Sequence, residues 1–219
     1  MTPTRRRYST ALRDGQTALT RGRVLDAAAR LLPEHGYLGT TLSAVATAAG
    51  VSVQTVYNVI GGKPVLLKAV YDRTLTGDDE AVPLARRPDF QAVLDAPDAR
   101  TCLRRYAHVG RLLGERLLPL VTMLFAQAAT GDADLAAFVR TVEAERGTGT
   151  RGLAQHVADR FGLRPGLTVP MAADVLWALT APDLADRLVL RRGWGWDRFE
   201  EWLGDAMADT LLGPGPAEP

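Results

Sequence analysis

An all-α fold is predicted for this chain of 219 residues by three observations. Apolar residues recur at helical spacing along most of its length. Glycine and proline fall between the periodic runs, where turns belong. No alternation of apolar and polar residues bounded by turns argues for a strand. The composition, 47% hydrophobic and 23% charged, is that of an ordinary globular protein, sufficient for one sizeable core or two modest ones. The predicted organisation is a basic arm over 1–17, an N-terminal three-helix helix-turn-helix domain with a linking helix over 18–76, a larger C-terminal helical domain over 77–212, and a disordered tail over 213–219.

The first seventeen residues, MTPTRRRYSTALRDGQT, have little periodicity. They read as a mobile arm, either a solvated tail or a basic arm whose Arg5, Arg6 and Arg7 add phosphate or minor-groove contacts beside a helix in the major groove. From about Thr20 a helix begins, with Val24, Leu25, Ala28, Leu31 and Leu32 on one face and Gly36 behind its end. Pro33 disfavours helix at Leu32, so this helix is expected to stop early or bend there. His35, a lone histidine, has no Asp, Glu or Cys partner at metal spacing, and no metal site is expected.

The stretch Thr40 to Lys63, TTLSAVATAAGVSVQTVYNVIGGK, carries the chemistry. Leu42, Val45, Ala46 and Ala49 form one apolar stripe behind a threonine cap, and Gly50 supplies a turn. Ser52 caps a second helix whose inner side holds Val56 and Ile60, which puts Gln54, Asn58 and Gly61 on the opposite side. That outer side is amide-bearing and uncharged. Gln and Asn match the major-groove edge of adenine, and Val53 beside them suits a thymine methyl, so this helix is predicted to read DNA. Gly61 and Gly62 end it, and Pro64 opens a further helix to about Thr76 with Leu66, Leu67, Val70 and Tyr71 inward. Lys63 opposes the positive end of that helix unless a phosphate lies there, held by both.

Charge is unevenly distributed. From Met1 to Thr76 there are ten Lys or Arg against four acidic residues, a balance of +6, which leaves −5 for the rest of a chain whose total is +1. A basic head on an acidic body is what a DNA reader joined to a domain of other function shows. The single cysteine, Cys102, cannot form an internal disulfide and fits a reducing compartment. The apolar uncharged stretch Leu117 to Gly131 is shorter than the ~20 residues a membrane span needs, so no membrane partner and a cytoplasmic location are expected.

Residues from about Arg21 to Val70 resemble the N-terminal domain of the TetR family of one-component bacterial transcriptional regulators. The resemblance lies in VLDAAARLLPEHGYLGTTLSAVATAAGVSVQTVYNVIGGKPVLL, which places a glycine, an aromatic, a Thr pair, the GVS turn and the T-x-Y element in order. It implies that Thr41, Thr55, Tyr57 and Lys63 meet phosphates and that Val53, Gln54 and Asn58 meet bases, with Ser52 at the start of the reading helix. Val59 and Ile60 depart from the family pattern, which usually has a His or other polar residue followed by Phe there.

The segment Gly77 to Ala96 is rich in Pro and Asp and reads as a domain boundary. Beyond it, a helix is expected over Ala99 to Arg116, and Pro119 is expected to start another. A long helix opening at Leu135 is expected to kink or break near Thr148, because Gly147, Gly149 and Gly152 each cost roughly 1 kcal/mol relative to Ala. The last quarter of the chain holds most of the tryptophan, and two segments in it, Met171 to Arg191 and Asp197 to Leu212, are expected to be helical, with a bend at Thr180 to Asp183. Their run DVLWALTAPDLADRLVLRRGWGWDRFEEWL resembles the C-terminal helix pair through which TetR-type regulators dimerise.

No convergent set of catalytic groups exists. His156 and Asp159 share a helix face without a third partner, the carboxylates Glu143 and Glu145 point apart, and no strand-loop-helix context offers a phosphate loop, so neither catalysis nor a cofactor is expected. The resemblance implies a homodimeric regulator, a repressor on a near-palindromic operator, whose C-terminal helical domain dimerises and binds a small-molecule effector. Candidate ligand-binding residues on the middle helices are Tyr106, Met123, Phe125, Gln127 and Trp177. The alternatives are a DNA-binding regulator whose body takes a protein partner or nothing, and a helical enzyme or binding protein with an incidental helix-turn-helix.

Overall fold

The computed structural model describes residues 4–78 and 82–213, with side chains from Gly15 onward. Among the described residues there are helices and no strand: α1 (Thr4–Gly39), α2 (Leu42–Ala49), α3 (Val53–Val59), α4 (Lys63–Thr76), α5 (Pro88–Leu94), α6 (Ala99–Ala128), α7 (Ala133–Arg160), α8 (Val169–Leu179), α9 (Pro182–Ala185) and α10 (Trp196–Leu212). A 3-10 turn, Leu84–Arg86, precedes α5, and a π-helical stretch, Asp186–Arg191, continues α9.

The chain divides into two compact units, one of Met1–Asp79 with Met123–Phe138, the other of Glu80–Thr122 with Val139–Pro219. Residues 123–138 therefore cluster with the N-terminal helices, where a boundary near Gly77 had placed them in the C-terminal domain.

In the first unit α1 packs on α2, α3 and α4. Val24, Leu25, Ala28 and Leu32 of α1 are buried with Val45, Ala46, Val56, Leu66, Leu67 and Val70, the apolar stripes read from the sequence. Leu124, Leu135 and Phe138 are buried in the same unit, and the Phe138 ring meets Tyr71 edge-on at 5.4 Å. Helix α1 begins at Thr4, well ahead of the expected start near Thr20, so the segment carrying Arg5, Arg6 and Arg7 is helical, although their side chains lie outside those described. The expected early stop at Pro33 does not occur. Pro33 sits on the exposed side, and the helix breaks at Gly36, whose φ of 70° and ψ of 171° are non-helical.

In the second unit two expected breaks are absent. Pro119 lies inside the continuous α6, where it is exposed while Leu117, Leu118, Leu120 and Val121 around it are buried. The apolar packing on both sides holds the turn that the missing N–H weakens. Helix α7 likewise runs unbroken past Gly147, Gly149 and Gly152. Those glycines face open space, while Thr150, Leu153, Ala154 and Val157 on the other side are buried and offset the glycine cost. The bend expected at Thr180 to Asp183 is present, between α8 and α9.

Helices α6 and α10 run antiparallel in this unit. Arg100 pairs with Asp209 at 3.0 Å, Arg104 with Asp205 at 2.9 Å, His108 with Glu200 at 3.0 Å, and Arg111 with Glu200 at 3.3 Å and with Asp197. Solvent screens such pairs, so the ladder specifies register more than stability. The core beside it comprises Leu103, Leu153, Val157, Leu176, Phe199, Leu203 and Met207 among others. Cys102 is free and buried, and burial pushes its thiol up to about 11, which leaves it a protonated core filler.

Candidate nucleic-acid interface

The two short helices of the candidate site are set by side-chain caps at their starts. Thr41 Oγ1 accepts from the Ala44 N–H at 3.1 Å and opens α2, while Thr40 is buried and its hydroxyl donates to the Gly36 carbonyl at 2.7 Å. Gly50, at φ 64° and ψ 41°, closes α2 in the left-handed conformation that glycine adopts without Cβ strain. Ser52 Oγ accepts from the Thr55 N–H at 3.0 Å and lies 2.8 Å from Thr55 Oγ1, so both hydroxyls are gathered at the start of α3.

Helix α3 buries Val56 fully, leaves Thr55 and Val59 half-buried, and turns the rest outward. Val53 is 37% and Tyr57 51% exposed, Gln54 and Asn58 are exposed, and Thr55 is half-buried. Gln54 Nε2 donates to Asn58 Oδ1 at 3.0 Å. The two amides thus brace each other across one helical turn, and Gln54 Oε1 and Asn58 Nδ2 remain outside that bond as an acceptor and a donor. A face with both kinds of group and no charge suits base edges more than phosphates.

Lys63 is half-buried at the first position of α4. Its Nζ donates to the Leu38 carbonyl at 3.4 Å and stands over the Tyr37 ring, 4.3 Å from the centroid. Burial lowers the Lys63 pKa, and Asp132 and Asp134 oppose that shift. The same surroundings push the Tyr37 hydroxyl up to about 12, first by burial, then by the charges of Asp134 and Asp132. Lys63 is therefore held near the start of α4, as the sequence placed it, with a protein carbonyl and an aromatic ring as its present partners.

Residues that sequence reasoning did not assign fix the geometry. Arg23 of α1 donates from Nε to the Ala49 carbonyl at 3.1 Å and from Nη2 to the Gly50 carbonyl at 3.0 Å, clamping the turn between α2 and α3. Arg21 Nη1 reaches the Val59 carbonyl at the end of α3, 3.1 Å away. Arg73 ties α4 back to Asp26 and to the Gly22 carbonyl, at 2.9 and 3.2 Å. Three of the ten cations that give the head its charge thus brace its helices. They sit on the polar side of their own helices, so periodicity carries no signal for them.

The candidate ligand-binding residues are divided. Met123, Phe125 and Gln127 lie in the first unit, where Gln127 Oε1 accepts from the Tyr37 N–H at 2.8 Å; Tyr106 and Trp177 lie in the second. Tyr106 is half-buried against Phe90, edge-on at 6.1 Å, and burial pushes its hydroxyl up to about 12. Trp177 is 40% exposed, with the Arg146 guanidinium 5.4 Å from its ring centroid. His156 and Asp159 do not pair: Asp159 accepts from Gln155 at 2.7 Å, and the His156 ring meets Phe161 edge-on. Among the described residues no cluster of His, Cys, Asp or Glu has metal-binding geometry, and no helix is long and apolar enough to cross a membrane.

The model of the family "Bacterial regulatory proteins, tetR family" matches residues 24–70, the span from α1 through α2 and α3 into α4. No curated protein matches the chain by sequence. Solved structures share its fold. One assigned to the TetR-family transcriptional regulators, from Rhodococcus sp., superposes with a TM-score of 0.68 at 18% identity over 88% of this chain and 98% of that one. The protein in the SmeT–triclosan complex does so at 0.67 and 20%, over 92% and 100%. The fatty acid degradation regulator FadR from Bacillus halodurans follows at 0.62 and 15%, over 85% and 93%. At such identities these likenesses speak for the fold, and the sequence match for the head. Residues 24–70, with the capped α2, the glycine turn and the outward α3, thus match the model of the tetR family of bacterial regulatory proteins, and the chain shares the fold of solved structures assigned to that family.

Proposed function

We propose that the protein is a repressor that binds a near-palindromic operator as a homodimer and is released by a small-molecule ligand. The observation that carries the reading is the outer face of α3, where the braced amides of Gln54 and Asn58 stand beside exposed Val53 and Tyr57. In this reading Val53, Gln54 and Asn58 meet base edges, and Thr41, Ser52, Thr55, Tyr57 and Lys63 meet phosphates. Arg5, Arg6 and Arg7 extend the contacts along the backbone.

One α3 of seven residues spans too few base pairs for useful specificity, and two heads related by a dyad double the contacts and require a palindrome. Exposed apolar side chains on α8, Met171 at 52% and Trp177 at 40%, support a dimer contact through the C-terminal helices. A ligand that favours one spacing of the heads shifts the DNA-binding equilibrium by its differential affinity for the two states. Tyr106, half-buried with its ring edge-on to Phe90, is the ligand contact best supported by its surroundings.

The test is recovery and sequencing of the genomic fragments retained by the purified protein, followed by titration of the enriched duplex at several salt concentrations. A shared near-palindrome and an affinity that falls steeply with salt are expected. Fragments without a common site, or affinity indifferent to salt, refute the reading. A body that takes a protein partner or no ligand is distinguished by the absence of any small molecule that releases the duplex and raises the melting temperature.

A further inference from the structure

Gln127 lies near the end of α6, far from the DNA-reading helices in sequence, yet it is built into the same unit. Its Oε1 accepts from the Tyr37 N–H at 2.8 Å. The fit depends on Gly36: a Cβ there would lie 1.9 Å from Gln127 Nε2 and 2.8 Å from its Cδ, and the φ of 70° is in the left-handed region. Glycine is thus required twice at that position, by backbone conformation and by the space the amide fills.

The contact leads to the candidate interface in two steps. Tyr37 is buried, and its ring supports the Lys63 ammonium at 4.3 Å. The next residue, Leu38, provides the carbonyl that accepts from Lys63 at 3.4 Å. Lysine has a long, rotamer-rich side chain, so a scaffold that already holds its head near the start of α4 reduces the ordering that phosphate binding demands. Removing the amide leaves the Tyr37 N–H without its acceptor and frees the turn that carries both Lys63 partners.

We infer that Gln127 is a positioning residue for DNA binding, which acts through the Gly36–Leu38 turn to hold Lys63 where it meets a backbone phosphate. The inference rests on the reading of Lys63 as a phosphate contact. It is tested with the full chain and its Lys63→Ala, Gln127→Met and doubly substituted variants, each titrated with the enriched duplex over a series of KCl concentrations. Lys63→Ala is expected to reduce the slope of log affinity against log salt by ~0.9 for each protomer bound. Gln127→Met is expected to reduce it in the same sense, with affinity at fixed salt falling roughly three- to tenfold, and to add little to Lys63→Ala in the double variant.

A merely structural role for Gln127 lowers affinity without changing the slope and multiplies with Lys63→Ala; that result overturns the inference. An unchanged slope in Lys63→Ala refutes the phosphate reading itself, and the inference with it. Should Gln127→Met fail to fold, hydrogen exchange decides. The Tyr37 amide is expected to be protected in the free protein and protected further by the duplex, the second increment being lost in Lys63→Ala. A Tyr37 amide that exchanges like an exposed one, or whose added protection survives Lys63→Ala, overturns it.

Discussion

Replacing Gly50 by alanine tests whether the turn between α2 and α3 is as tightly specified as its geometry indicates. Gly50 sits at φ 64° and ψ 41°, and its N–H returns to the carbonyls of Ala46 and Thr47. An alanine in that left-handed conformation costs about 1–2 kcal/mol. The new Cβ would stand 3.3 Å from Arg23 Nη2, the far end of a flexible side chain that also donates to the Gly50 carbonyl. That contact relaxes at the expense of part of one hydrogen bond, about 0.5–1 kcal/mol, and the lower freedom of alanine in the unfolded chain returns a similar amount. The net loss expected is about 1–2 kcal/mol, a fall in melting temperature of roughly 4–16 °C for a unit of this size. The assay is urea or thermal unfolding followed in two ways. All the tryptophans, Trp177, Trp194, Trp196 and Trp202, lie in the second unit, so fluorescence reports that unit while far-UV circular dichroism reports both. Gly50→Ala should shift the dichroism transition and leave the fluorescence transition in place, and Gly50→Asn should shift it less because Asn tolerates this conformation better. A Gly50→Ala protein within ~0.5 kcal/mol of the parent, or one more stable than Gly50→Asn, refutes the argument.

Other outcomes are expected from the same contacts. Arg23→Ala removes the donors to the Ala49 and Gly50 carbonyls and should destabilise the first unit by about 1–2 kcal/mol, again in dichroism without a matching fluorescence change. Gln54→Ala should relax preference at one base pair by ~1–3 kcal/mol and leave the salt slope unchanged; competition among operator variants measures it, and a uniform loss over all sequences contradicts the assignment. Burial holds the Tyr106 hydroxyl at about 12, above its ordinary 10.0. The fold thus favours the neutral phenol, and this contribution is fully present below pH 10 and is lost as pH rises toward 12. Tyr106→Phe should flatten that alkaline fall in urea-unfolding stability, and an identical fall in both proteins argues that the phenol is not buried.

The helix-turn-helix was readable because its determinants are local. Periodicity identifies Val45, Val56 and Leu66 as inward, threonine and serine caps open α2 and α3, and Gly50 needs a conformation that its identity alone announces. The exposed face of α3, with Gln54 and Asn58 on it, follows from the same periodicity. Local rules misjudged the helix breaks. Pro33, Pro119 and Gly147 each weaken a helix by a cost that packing elsewhere offsets, and the amount of packing is a property of the fold. The contacts that position the site were the least accessible. Arg23 meets Ala49 and Gly50 across more than twenty residues, and Gln127 meets Tyr37 across ninety. Such pairs join polar groups on unrelated helices, and one chain read by itself contains no periodic trace of them. Composition, caps and apolar spacing were enough for the class of fold and for which side chains of α3 face outward. The positions of Lys63 and Gln127 relative to that face depend on how distant helices pack, because a hydrogen bond between them exists only once packing has brought its two ends together.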